Sequence, residues 1–162
     1  MKPGLKIVAI RRLGEVLGGC DFGKTAVLVA SSYDAPSVKL PPHSIVQIFD
    51  DVDYEIPGRS LSREQAQAYA GFVKGLPKDT ETIVCACNAG ESRSAALCAA
   101  LCEYYGVDAG WIWDSPNYHP NMYVFGLFAE ALGMKVDDEQ LDALYYRNRK
   151  AFTDAIRRQK GK

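Results

Sequence analysis

The chain is short of histidine, carries no excess of either charge and has no long hydrophobic run. Its two histidines, His43 and His119, stand alone. No second cysteine pair joins Cys85 and Cys87, so no zinc-ligand spacing is completed and no metal or other cofactor is expected. With 19 Lys and Arg against 20 Asp and Glu, neither nucleic acid nor an anionic membrane is expected as the main partner. No run reaches the roughly 18 apolar residues that span a bilayer. The opening MKPGLKIVAIRRLGE has no apolar stretch before its next charges, so no signal peptide is expected. The 5 cysteines are odd in number and lack framework spacing, which predicts a reduced, cytoplasmic protein. Internal repeats and low-complexity linkers are also missing.

What is present is a core. Hydrophobic residues make up 48% of 162, enough for a single domain over 1–162. Short Val- and Ile-rich runs bounded by Gly or Pro, LKIVAI (5–10), TAVLVAS (25–31), SIVQIF (44–49) and TIVCAC (82–87), read as buried strands. Residues 61–77 read as a helix that Ser60 can cap and that Gly75 and Pro77 end. Residues 91–106 read as a helix stopped by Gly106, its surface small and apolar nearly all round. Two more helices are expected over 121–133 and 137–159, the second with an apolar stripe at Leu141, Tyr145, Phe152 and Ile156. The basic residues from Arg147 to Lys162 read as a solvated helix face in preference to a docking patch. The expected fold is α/β, with a central, mostly parallel sheet of about four or five strands flanked by helices.

Two stretches could cradle an anion. GGCDFGKT (18–25) fits the nucleotide-binding pattern G-x-x-x-x-G-K-[ST], with Lys24 as its cation and IVQIFDD as a Mg²⁺-holding strand. Such a loop must open a helix, whose N-terminus supplies amide donors. AVLVASSYDAP follows instead, rich in β-formers and stopped by Pro36, so a glycine-rich hairpin turn is the plainer reading.

The second stretch has the required context. TIVCAC is a strand, NAGES a short loop, and a helix runs from Ser92, placing Cys87, Gly90 and Arg93 in the pattern C-x5-R. Successive amides of Asn88, Ala89, Gly90, Glu91, Ser92 and Arg93, curling into a helix N-terminus, form a ring of donors for a tetrahedral oxyanion. A cysteine at its centre has its thiolate stabilised by the same donors. Gly90 permits backbone angles that a side chain forbids. Arg93 can grip two oxygens with its fork, and Ser94 lies near enough to assist the sulfur as a leaving group.

CNAGESRSA resembles the signature loop of the cysteine-dependent protein tyrosine phosphatases, closest to their compact dual-specificity-like and prokaryotic members. The resemblance covers roughly residues 25–133. It implies a parallel sheet with helices on both faces and hydrolysis of phosphomonoesters through a phosphocysteine, with phosphotyrosine in a protein or peptide as substrate. It also implies a general acid on a separate loop, some thirty-odd residues before the cysteine. Asp51 in VQIFDDVDYEIPG, 36 residues before Cys87, is the choice, with Asp50 and Asp53 as alternatives. SPNYHPNMYVF resembles the segment whose Asn braces the loop, which makes Asn121 the brace; Leu127 stands where relatives carry Gln. Relatives have His before the nucleophile, whereas this chain has Ala86, which predicts a less acidic thiol and slower turnover than theirs. The loop carries Glu91 and no Lys, which disfavours phosphoinositides.

Cys85 reads as core or as a redox partner of Cys87, Cys98 and Cys102 as small core residues, and Cys20 carries no signal. The aromatic run around Trp111 and Trp113 reads as core or as a substrate wall, and Arg59 as a loop charge or a substrate contact. Two other functions stay open: a catalytically weak phospho-group-binding module of the same fold, and a nucleotide kinase using residues 18–25.

Overall fold

A computed structural model of the chain describes residues 7–15, 23–32 and 39–161. Four strands, β1 (Ile7–Arg12), β2 (Thr25–Ser31), β3 (Ser44–Ile48) and β4 (Thr82–Cys87), form one sheet in the order β1-β4-β2-β3. All three pairings are parallel. The fold is α/β with a parallel central sheet, as the β-branched runs predict. β4 lies between β1 and β2, with Cys87 beside Arg12 on one side and Ala30 on the other. Its last residue is therefore at the carboxyl edge of the sheet, where open α/β sheets place their ligands.

Five α-helices accompany the sheet among the described residues: α1 (Arg63–Lys74), between β3 and β4, then α2 (Arg93–Tyr105), the single turn α3 (Gly110–Trp113), α4 (Met122–Ala131) and α5 (Asp138–Lys160). Helix α2 is buried at every position from Arg93 to Cys102, because it packs on the sheet on one side and on α4 on the other. Only small side chains let a helix approach both neighbours closely, which explains the run of Ala, Ser and Cys. Gly106, in the left-handed region at φ 70°, ends it.

Strand alternation divides the sheet's side chains between two cores. Val8, Ile10, Leu28, Ile83, Cys85 and Cys87 join residues of α1, α2, α3 and α4 in the main one. Ala9, Val27, Val29, Val84 and Ala86 form the other, with Leu13, Leu40 and Val46 packed against it. The resemblance implied helices on both faces; among the described residues, no α-helix contributes to the second core.

Three further expectations are corrected. The hairpin between the first two strands is not formed, since β1 and β2 lie parallel on either side of β4; residues 16–22, including Cys20, are outside the described residues. Helix α1 is capped by Ser62, in a reciprocal capping box with Gln65, and not by Ser60. The Ser60 hydroxyl accepts from the Ile56 amide and donates to the Ile56 carbonyl instead, closing the turn before α1. The stripe expected on α5 is only partly used: Leu141 packs on the core, whereas Tyr145 and Ile156 are 46% and 36% exposed. The buried position on α5 is Asn148, whose side-chain amide donates to the carbonyls of Trp113, Ser115 and Tyr118.

Candidate active site

The loop from Cys87 to Ser92 joins the carboxyl edge of β4 to the first turn of α2. Helices leave their first amides without internal partners, and the other long helices here satisfy them with side chains. Asp137 and Gln140 box the start of α5, and Asn121 accepts from the Val124 amide at the start of α4. Ser92, at the start of α2, makes no such bond. The free donors turn to the sulfur. The Gly90 amide donates to Cys87 Sγ at 3.2 Å, and those of Glu91 and Ser94 point to it as well. Ser94 Oγ lies 3.0 Å from the sulfur, placed to donate to the thiolate once the thiol has lost its proton.

Burial works against ionisation of Cys87, but the Ser94 hydroxyl and the amides of Ser94, Gly90 and Glu91 outweigh it, and the pKa falls below the ordinary thiol value. Gly90 makes the curl possible. It sits at φ +72°, and a Cβ there would come within 2.9 Å of the Arg12 backbone nitrogen. Any other residue at position 90 is excluded twice, by backbone conformation and by the end of β1.

Arg93 is 5% exposed. Its Nη1 donates to Ser32 Oγ at 2.9 Å and to the Phe49 carbonyl at 2.6 Å, and its Nη2 to Asn88 Oδ1 at 3.0 Å. Asn88 Oδ1 also accepts from the Ser32 amide. The guanidinium is thus clamped between the ends of β2, β3 and the loop, and it lies 5.8 Å from the Phe49 ring centre. Its Nε–H is buried with no partner among the described residues. Leaving such a group unpaired costs on the order of 1–3 kcal/mol, more where charge is involved. An oxyanion over the loop would satisfy it.

Asp51 is exposed yet tied to the loop. Its Oδ1 accepts from Ser92 Oγ at 3.0 Å and from Asn121 Nδ2 at 2.8 Å, which leaves Oδ2 without a partner among the described residues. The two alternatives are placed differently. Asp50 is engaged by Arg59 Nε at 2.9 Å, which gives that arginine a structural task, and Asp53 is exposed without a bond to the loop. Asn121 braces both segments: its side chain also donates to the Val52 carbonyl, and its amide to the Ser92 carbonyl. The His119 amide donates to the Glu91 carbonyl, while the Glu91 side chain is exposed.

Cys87, Ser94, Arg93, Asp51 and the amides of 90, 91 and 94 therefore converge at one end of α2. Asn88 and Ser92 act through their side chains on Arg93 and Asp51, a role the spacing alone did not indicate. Ala89 is exposed and makes no side-chain bond. Ser32 and the Phe49 carbonyl escaped the sequence reading altogether. Their signal was position, since both directly follow strands whose carboxyl ends must border a loop at the end of β4. Lys24, the cation of the nucleotide-binding pattern, leads directly into β2 and faces Glu81 at 3.5 Å, so no helix N-terminus follows it.

Cys85 is fully buried on the same face as Cys87. Cys98 touches both Cys85 and Cys102, and burial pushes its thiol well above the ordinary value. The aromatic run divides: Trp113 packs edge-on against Phe125 in the core, while Trp111 stays 41% exposed. Among the described residues no helix is long and apolar enough to cross a membrane. Comparison of the chain with protein-family models, curated proteins and solved structures finds no match.

Proposed function

We propose that this chain is a phosphomonoester hydrolase of the cysteine-dependent tyrosine phosphatase type, acting in the cytoplasm on phosphotyrosine or dual-specificity protein substrates. One observation carries the reading: a thiol drawn below its ordinary pKa shares the seven-residue turn Cys87 to Arg93 with a buried guanidinium whose Nε–H has no partner among the described residues. A nucleophile and an oxyanion receptor on one turn are what phosphoryl transfer to sulfur requires.

In the first step Cys87 Sγ attacks phosphorus, the S–P bond forms and the bond to the leaving oxygen breaks. Arg93 and the loop amides hold the three remaining oxygens, and the proton on Asp51 passes to the leaving group. A water then attacks the phosphocysteine and gives its proton to Asp51, while the S–P bond breaks and the sulfur leaves as thiolate. The Ser94 hydroxyl donates to that thiolate. The clamp on Arg93 and the brace from Asn121 hold both partners in place before substrate arrives, so little ordering remains to be done at the transition state.

A second reading, a phospho-group-binding module with little turnover, draws support from Cys87 being only 2% exposed and from Ala86 facing the opposite core. Hydrolysis of p-nitrophenyl phosphate in EDTA separates the two. Turnover by wild type, lost in Cys87→Ser and reduced about 100-fold in Asp51→Asn with disappearance of the alkaline limb of the pH profile, supports the hydrolase. Phosphate binding without turnover leaves the module, and full activity in Asp51→Asn removes Asp51 from the mechanism.

A further inference from the structure

A cavity of about 930 Å³ opens beside the loop and shares Asp51 and Ser92 with the site, a size at the upper end for ligand pockets. The leaving oxygen must lie against the acid that protonates it, so the rest of a substrate leaves the loop over Asp51 and enters this cavity. One wall is a face of α5 spaced as a helix presents it, with Asp138, Leu141, Asp142 and Tyr145 at i, i+3, i+4 and i+7. Tyr145 belongs to the stripe expected to be buried, yet it stays 46% exposed beside the opening.

The cavity's charge is the informative feature. Asp53, Asp138 and Asp142 line it together with Asp51, against the single arginine Arg149, whose guanidinium lies 5.8 Å over the Phe152 ring. The carboxylates of Asp53, Asp138 and Asp142 make no ion pair or hydrogen bond with a described residue. A phosphate monoester must therefore bring its own negative charge up to unpaired carboxylates, which repel it. A cation on the same segment removes that penalty and pairs with them.

We propose that this groove holds the polypeptide flanking the phosphorylated residue and reads lysine or arginine there through Asp53, Asp138 and Asp142, a selectivity that rests on the phosphatase reading above. Continuity with Asp51 positions the segment, and the carboxylates select its charge.

The test compares three phosphotyrosyl hexapeptides, bearing Arg-Arg, Gln-Gln or Glu-Glu beside the phosphotyrosine. Each kcat/KM is normalised to the Gln-Gln peptide on the same protein. Wild type is expected to favour the Arg-Arg over the Glu-Glu peptide about tenfold at low salt, with the preference shrinking in 0.5 M NaCl. In Asp138→Asn/Asp142→Asn the ratio falls to within about twofold, and Asp142→Lys moves it toward the Glu-Glu peptide. Equal rates on all three peptides with wild type, or an unchanged ratio in both variants, would overturn the proposal. If wild type hydrolyses neither peptide nor p-nitrophenyl phosphate, the catalytic reading fails by itself. Fluorescence anisotropy of the same labelled peptides on Cys87→Ser then decides the groove: a tenfold order in Kd, lost in the Asp138→Asn/Asp142→Asn background, sustains it, and equal affinities end it.

Discussion

Cys87 and Cys98 are equally hidden, 2% and 0% exposed, and they bound opposite ends of one short stretch, yet their chemistry diverges. Burial raises both thiols. At Cys98 nothing outweighs it, because in mid-helix each amide already serves a carbonyl one turn back, and its neighbours are other thiols. Cys102 is pushed up too, first by its contact with Cys98 and then by burial. At Cys87 the uncapped end of the same helix supplies amides, Ser94 adds a hydroxyl, and the balance reverses. The protonation balance of each thiol is set by where free N–H groups are, and burial by itself does not predict it.

The sharpest way to break this comparison is to exchange the thiols' fates. Cys87→Ser should abolish aryl phosphate hydrolysis, by at least about 1000-fold. Cys98→Ala should leave kcat within about threefold and cost on the order of 1 kcal/mol in urea unfolding. A similar loss of activity in both would mean that the helix matters as a whole and its end has no special place.

Next in size is the receptor. Arg93→Lys keeps the charge but loses the planar fork, and kcat/KM should fall roughly 100-fold, with vanadate binding by calorimetry weakened alongside. Retained vanadate affinity would put the oxyanion elsewhere.

A smaller effect sharpens the electrostatic account. Alkylation by iodoacetamide, followed by mass spectrometry against pH, should modify Cys87 with a midpoint below the ordinary thiol value, while Cys85 and Cys98 react only after unfolding. Ser94→Ala should move that midpoint up, because the thiolate loses the hydroxyl that donates to it. The sign for stability follows from the lowered folded pKa. The ionised thiol adds stability that is complete above the unfolded value of about 8.5 and is lost as pH falls through the folded value. Urea melts across that window should lose this slope in Ser94→Ala; an unchanged slope would remove Ser94 from the balance.

The smallest effect concerns the clamp. Asn88→Ala should lower kcat about fivefold with KM less affected, because the Arg93 fork loses one of its fixed supports. Asn88→Asp retains an acceptor oxygen and should restore most of the rate. Failure of that rescue would show that Asn88 Oδ1 does not position Arg93.

Much of this architecture could be read in the chain itself. Four β-branched runs became the four strands, and the small-residue helix became the one packed on both sides, because periodicity and side-chain volume act locally. The C-x5-R spacing likewise located the turn, since Gly90 and the strand-to-helix junction are properties of adjacent residues. Ser60 was misjudged as a cap because two serines compete for one helix start, and only Ser62 has Gln65 three residues on. The α5 stripe was overestimated because periodicity reports which side chains share a face; it does not report what covers that face.

The sequence by itself determined that a cysteine and an arginine would share the mouth of a helix, because only five residues separate them where a strand gives way to that helix. Only the tertiary structure decided how Arg93 is held, through Ser32, Phe49 and Asn88, and which of three aspartates reaches the loop. Apart from the Arg93–Asn88 bond, which spans 5 positions, those contacts join residues 41 to 70 positions apart. They depend on the order in which parallel strands lie side by side, and no local pattern records that order.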